Sequence, residues 1–158
     1  MNDADLKEMV KAHPFLHDMK PEHQEFISET AHLVRFEPQQ VIFHEGEPAN
    51  EFFLIQEGKL ALEAHEPADG TALVQILGPE DVLGWSWMFP PYVWHFTARA
   101  IEPTTMIALN GARLLIHAES EHEFGYELMK RVAHIMMTRL QATRRQLLAE
   151  RQEAILTA

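Results

Sequence analysis

No cysteine occurs among the 158 residues, which excludes disulfides, thiolate metal sites and cysteine nucleophiles. Apolar runs are short. None approaches the roughly 20 residues that a membrane helix needs, and the acidic start Met1-Asn2-Asp3-Ala4-Asp5 has no apolar stretch behind it of the kind a secretory leader carries. No serine stands in a Gly-x-Ser-x-Gly setting, and no His-Glu-x-x-His pair is present. These absences point away from catalysis and the membrane and toward a cytoplasmic protein. With 46% apolar and 23% charged residues the composition is that of a folded chain, and the length suits one domain spanning 1–158.

Positive charge is also in short supply. Thirteen basic residues face 24 acidic ones, for a formal net charge of −11. Six of the basic residues but only two of the acidic ones lie from Leu128 onward, so the tail carries about +4 and the rest about −15. An acidic body is repelled by phosphate backbones. The basic tail is expected to contact the acidic body rather than nucleic acid.

What is present falls into three stretches. Residues 1–31 have helical spacing broken by Pro14 and Pro21: Asp3 is placed to cap a short helix carrying Leu6, Met9 and Val10, and Pro21 opens a second one, Glu22 to Thr30. Residues 32–110 hold short apolar or alternating runs, among them Val41-Ile42-Phe43, Phe52-Phe53-Leu54-Ile55, Leu60-Ala61-Leu62 and Thr105-Met106-Ile107-Ala108-Leu109. Turn signals separate them, including Glu57-Gly58, Asp69-Gly70 and Gly78-Pro79. Such spacing indicates a jelly roll or barrel, because no room is left for the crossover helices of a parallel sheet. Residues 111–158 return to helical spacing. A short helix is expected over Ala112–Ala118, and from Tyr126 onward neither glycine nor proline interrupts the chain. Val132, Ala133, Met136, Met137, Leu140, Leu147 and Ala154 recur there at spacings of three, four and seven, a coiled-coil-like seam. Met136, Leu140 and Leu147 are the candidate contacts of a two-helix homodimer.

The ordered set Glu45-Gly46-Glu47-Pro48-Ala49 through Phe52-Phe53-Leu54-Ile55, Glu57-Gly58-Lys59-Leu60, Leu77-Gly78-Pro79-Glu80-Asp81-Val82-Leu83-Gly84, then Thr97 and Ala100, resembles the sensor domain of the catabolite-activator (CRP/FNR) superfamily over residues 14 to 150. The resemblance implies a mainly β fold with flanking helices, a double-stranded β-helix (jelly-roll) barrel of eight strands preceded by helices and closed by a long C-terminal helix. It also implies a ligand loop beginning at Gly84, where backbone N–H groups and an arginine take a cyclic phosphate and a glutamate takes the ribose hydroxyl.

At those positions this sequence departs from the pattern. Trp85 stands where the glutamate belongs, and Trp94 stands nine residues on where the arginine belongs, with Thr97 in its usual place three further along. Glu80 replaces a turn glycine. Losing the charge partner of a bound phosphate costs about 2–5 kcal/mol, or roughly 30- to 4,000-fold in affinity. Cyclic AMP held in the family's usual way is therefore not expected. The loop from Trp85 to Phe96 holds all three tryptophans, and it suggests an aromatic pocket for another small molecule, still unidentified. Gly84, Trp85, Ser86, Trp94, His95, Thr97 and Arg99 are the candidate pocket residues, the face of the strand carrying Thr97 and Arg99 being open. No metal site or certain cofactor is read. The ten histidines are scattered and expected at the surface.

Three functions remain. The first is a ligand-sensing homodimer that signals through its terminal helix or to a protein partner. The second is a ligand-free interaction module, its pocket filled by its own indoles. The third is the sensor part of a truncated transcription regulator. The resembling regulators read DNA with a helix-turn-helix domain that follows the long helix. The sequence stops at Ala158, so binding DNA by that route is not expected.

Overall fold

The structure is a computed structural model that describes residues 2–66, 68 and 70–157; Asp69 of the expected Asp69-Gly70 turn lies outside the described residues. Helix α1, Asp3–Ala12, begins one residue earlier than expected. Asn2 rather than Asp3 is its cap: Asn2 Oδ1 accepts from the Asp5 amide at 2.9 Å and the Asp5 carboxylate answers the Asn2 amide, a reciprocal pair that satisfies two amides at once. Pro14 opens one 3₁₀ turn, Pro14–Leu16, and Pro21 the first turn of α2, Pro21–Glu29.

Eight strands follow: β1 Ala31–Phe36, β2 Val41–Phe43, β3 Glu51–Glu57, β4 Leu60–Glu66, β5 Gly70–Leu77, β6 Val82–Leu83, β7 Thr97–Ala100 and β8 Thr104–Asn110. They form two antiparallel four-stranded sheets, ordered β1-β8-β3-β6 and β2-β7-β4-β5. Here the structure corrects the expected closed barrel. Each sheet keeps its own edges, and between the described strands no ladder joins one sheet to the other. Helix α3, Gly111–Ser120, and helix α4, His122–Thr157, complete the chain. At 36 residues α4 is about 54 Å long.

Alternation along the strands splits the interior into two cores. Phe53 and Ile55 of β3, Leu83 of β6, and Met106 and Ala108 of β8 point between the sheets, where they meet Phe43, Leu60, Leu62, Leu77, Trp94 and Ala98. Their neighbours Phe52, Leu54, Val82, Ile107 and Leu109 point the other way, against Val10, Leu16, Ile27, Leu114, Phe124, Leu128 and Val132 of the helices. The unbroken apolar run Phe52–Ile55 is thus a strand buried on both faces. The expected seam of α4 is divided in the same way: Val132 lies in the helix-side core, 1% exposed, while from Thr143 to Leu156 every residue is exposed.

Two histidines correct the expectation of a surface set. His23 is buried, with Phe124 edge-on at 5.3 Å. His13 is 3% exposed and links the N-terminal turn to the sheet. Its Nδ1 accepts from the Phe15 amide at 3.1 Å, so the ring proton sits on Nε2 and is donated to the Ile55 carbonyl at 3.3 Å. Burial disfavours the imidazolium and holds the His13 pKa below the ordinary 6.5. The unfolded chain therefore takes up this proton first on acidification. The stability His13 contributes is complete above pH 6.5 and is lost as pH falls below it toward the folded pKa, with a slope of at most about 1.4 kcal/mol per pH unit. Thermal melts between pH 7.5 and 5.5 are expected to show a smaller fall in Tm for His13→Gln than for the unsubstituted protein; equal falls would remove His13 as the cause.

Candidate functional site

The segment between β6 and β7 sends its three indoles to three places. Trp87, in the 3₁₀ turn Ser86–Met88, is 2% exposed and joins the helix-side core. Its Nε1 donates to the Gly84 carbonyl at 2.9 Å. Trp94 is 5% exposed and turns between the sheets, stacked on Phe43 with ring centroids 3.8 Å apart and planes 8° from parallel. Trp85 lies under α4, with the Arg139 guanidinium 4.8 Å above its ring.

Two of these indoles are seated on glycines. A Cβ at Gly84 would come within 2.5 Å of the Trp94 ring, and one at Gly111 within 2.7 Å of the Trp87 ring. Gly84 also has φ +83°, in the left-handed region that side chains resist. The first glycine of the loop thus fixes where the last tryptophan lands.

A cavity of about 480 Å³ remains between the β2-β7-β4-β5 sheet and α4. Its floor is Phe43, Leu62 and Val74, one wall is Gly84, Trp85, Ser86, Trp94 and His95, and Met136, Met137, Leu140 and Arg139 of α4 roof it. No acidic side chain lines it among the described residues. A second cavity, of about 810 Å³, lies on the far side of Arg139, where charged residues of both signs surround it.

The structure thus brings Gly84, Trp85, Ser86, Trp94 and His95 together around one space, and it leaves Thr97 and Arg99 out. On β7 the buried residues are Ala98 and Ala100, so Thr97 and Arg99 share the outer face. Arg99 donates to Glu63 and to the Gln39 carbonyl, both at 3.0 Å. Thr97 Oγ1 accepts from the Glu45 amide at 3.0 Å. Met136 and Leu140, expected at a two-helix interface, form part of the roof; Leu147 lies farther along α4 and is 57% exposed.

Arg139 was not among the residues singled out in the sequence, although it stands inside the apolar seam, three residues after Met136 and just before Leu140. One of its guanidinium nitrogens donates to the Val82 carbonyl of β6. Burial pushes its pKa down to about 10, a shift that the more distant Asp81 carboxylate opposes, so the group stays cationic at neutral pH. Its neighbour along the helix, Arg131, donates to Glu127 and to the Phe15 carbonyl, each at 2.6 Å. Of the six basic residues expected to contact the acidic body, Arg131 and Arg139 thus reach it, whereas Lys130, Arg144, Arg145 and Arg151 are exposed. Among the described residues no cluster of three or more His, Cys, Asp or Glu side chains could hold a metal ion, and no helix is long and apolar enough to cross a membrane.

This architecture carries a family assignment. A family model described as the cyclic nucleotide-binding domain matches residues 33–118, more than half of the chain, and the chain belongs to that regulatory, non-catalytic family. It is similar to a candidate cyclic nucleotide-binding protein from Geobacter metallireducens GS-15, with 28% identity and a TM-score of 0.77 over 85% of this chain and 97% of that one. A cyclic nucleotide-binding domain from Methylobacillus flagellatus KT superposes with a TM-score of 0.76 at 16% identity, covering 94% and 83% of the two chains. The N-terminal domain of a transcriptional regulator from Streptomyces coelicolor A3(2) does so with a TM-score of 0.66 at 21% identity, covering 84% and 93%. No curated protein matches the sequence.

Placing a methyl group at Gly84 should force Trp94 off Phe43. Gly84→Ala is expected to destabilise the fold by about 1–3 kcal/mol, the usual range for overpacking, with backbone strain added. Urea denaturation should show Trp94→Leu relieving part of that loss in the double variant. Additive losses would mean that the two sites are not coupled.

Proposed function

We propose that this chain is a non-catalytic sensor domain that binds a small molecule other than a cyclic nucleotide in the apolar cavity beneath α4, and that it signals through that helix as a homodimer or to a protein partner. The observation that carries the reading is the space itself: about 480 Å³ stays open although Trp94 is packed into the core. An interaction module with its pocket filled by its own indoles would have no such space. Pockets that hold small molecules are mostly apolar, with a few placed polar groups, and this one has Ser86, His95, Thr143 and Arg139 at its margins.

The same geometry argues against cyclic AMP held in the family's manner. The two positions where the resemblance expects a glutamate and an arginine carry indoles, one of them buried against Phe43. The nearest arginine on the following strand, Arg99, is engaged with Glu63 on the outer face. The turn Ser86–Met88 is only three residues long, too short to develop the dipole that helps a helix start hold phosphate.

A second copy of the chain is the partner best suited to the far half of α4. Ala133, Leu140 and Leu147 repeat at seven residues, and Leu147, Leu148, Ile155 and Leu156 are each more than half exposed. Two such helices side by side would cover one another.

Two measurements test the reading. Calorimetric titration with cyclic AMP and cyclic GMP should show no binding at tens of micromolar, whereas N-phenyl-1-naphthylamine, a neutral aromatic probe, should gain fluorescence on entering the cavity. Micromolar binding of either nucleotide would overturn the exclusion, and a probe that stays dark would mean that the pocket is closed. For the helix, sedimentation equilibrium should give a dimer, converted to monomer by Leu147→Glu without loss of the helical circular dichroism of the folded domain. A monomeric unsubstituted protein would overturn the homodimer.

A further inference from the structure

Arg139 is a half-buried cation rather than a free surface charge. It is carried on α4 into the rim of a largely apolar cavity. Its described contacts there are the Val82 carbonyl and the face of Trp85. Neither is an anion, and among the described residues no carboxylate stands within ion-pair distance of it. The other basic residue held against the body from α4, Arg131, has Glu127 at 2.6 Å. Val82 takes a single donor, whereas a guanidinium offers five in a planar fork suited to two oxygens at once.

The negative charge that acts on it, the Asp81 carboxylate, stays beyond ion-pair distance. A cation taken partly out of water with no direct counter-ion is costly, and an incoming anion recovers much of that cost. The apolar floor next to it rewards a ligand body with few polar atoms. Together these define an amphipathic molecule with one charged end.

Building on the sensor reading above, we propose that the cavity takes a carboxylate with an apolar or aromatic body, the body lying among Phe43, Leu62, Trp94 and Met136 and the carboxylate pairing with Arg139, which thereby sets specificity. The distribution of charge supports this. Acidic side chains abound on the body of the protein, with 22 of the 24 lying before Leu128, yet none lines this cavity to repel a carboxylate. Arg139 also borders the larger neighbouring cavity, but there Glu80, Asp81 and Glu127 stand in the wall and would repel a carboxylate.

The test compares charge at constant shape, using decanoate and 1-naphthaleneacetate, each against its alcohol, titrated into the full chain with tryptophan fluorescence and calorimetry as readouts. The carboxylates should bind roughly 10- to 100-fold tighter than their alcohols, the range that a charge-assisted hydrogen bond commands. Arg139→Met should bring that ratio near one while leaving the alcohols within a few-fold. Arg139→Lys, which keeps the charge without the fork, should retain part of the preference.

Equal affinity of acid and alcohol for the unsubstituted protein would overturn the proposal and leave the sensor reading standing. A preference that survives in Arg139→Met would overturn the assignment of Arg139 and hand the role to another group such as His95. No binding of either kind would remove both the cavity reading and this one. The comparison of acid with alcohol on the unsubstituted protein decides the ligand class even if Arg139→Met fails to fold.

Discussion

Everything in this fold hangs on a strand with no solvent side. Phe52 and Leu54 of β3 are buried against the helices, while Phe53 and Ile55 are buried between the sheets, none more than 4% exposed. Burying such side chains is worth about 1.5–3 kcal/mol each, and a slip of one residue would exchange the two sets between cores of different shape. With β3 fixed, β8 pairs along one edge and β6 along the other. Gly84, the residue after β6, is then held at the boundary between the two cores, and the following loop can send Trp87 to one and Trp94 to the other. The site is a consequence of that partition.

Much of this was legible in the sequence because the strands are short and well punctuated. The runs around Val41, Phe52, Leu60 and Met106 all became strands, and the glycine-free, proline-free stretch became a helix that starts four residues earlier, at His122. What escaped notice was whatever had no local hydrophobic signature. Strand β6, Val82–Leu83, is two residues long, too short to show a period. Asn2 caps α1 in place of Asp3, since the choice rests on the geometry of Asp5 answering back. His13 and His23 are buried because tertiary packing covers them, and nothing in their immediate neighbours says so.

The site was legible only up to the end of its loop. Gly84, Trp85, Ser86, Trp94 and His95 lie close in sequence and converge in space. Thr97 and Arg99 look equally near, but their side is set by the register of β7 against β2 and β4, and pairing with β2 shifts between Val41 and Phe43. Alternation alone could show that the two share a face, not which one. Arg139 was hidden by distance along the chain: it reaches the cavity from a helix more than 40 residues further on. The family pattern places its charges on the loop, and here the loop has become aromatic while the charge at the cavity comes from the helix above it.

The roof of the cavity and the exposed tail belong to one rod. Helix α4 has no glycine or proline after Gly125, so nothing in its sequence provides a hinge. From Arg139 to Thr157 it extends about 27 Å. Geometrically this is a lever whose fulcrum lies at the edge of the cavity, and a tilt of 10° there would carry the far end roughly 5 Å. Under the proposed sensor reading, a change too small to unpack the sheet would be amplified at the tip of the helix.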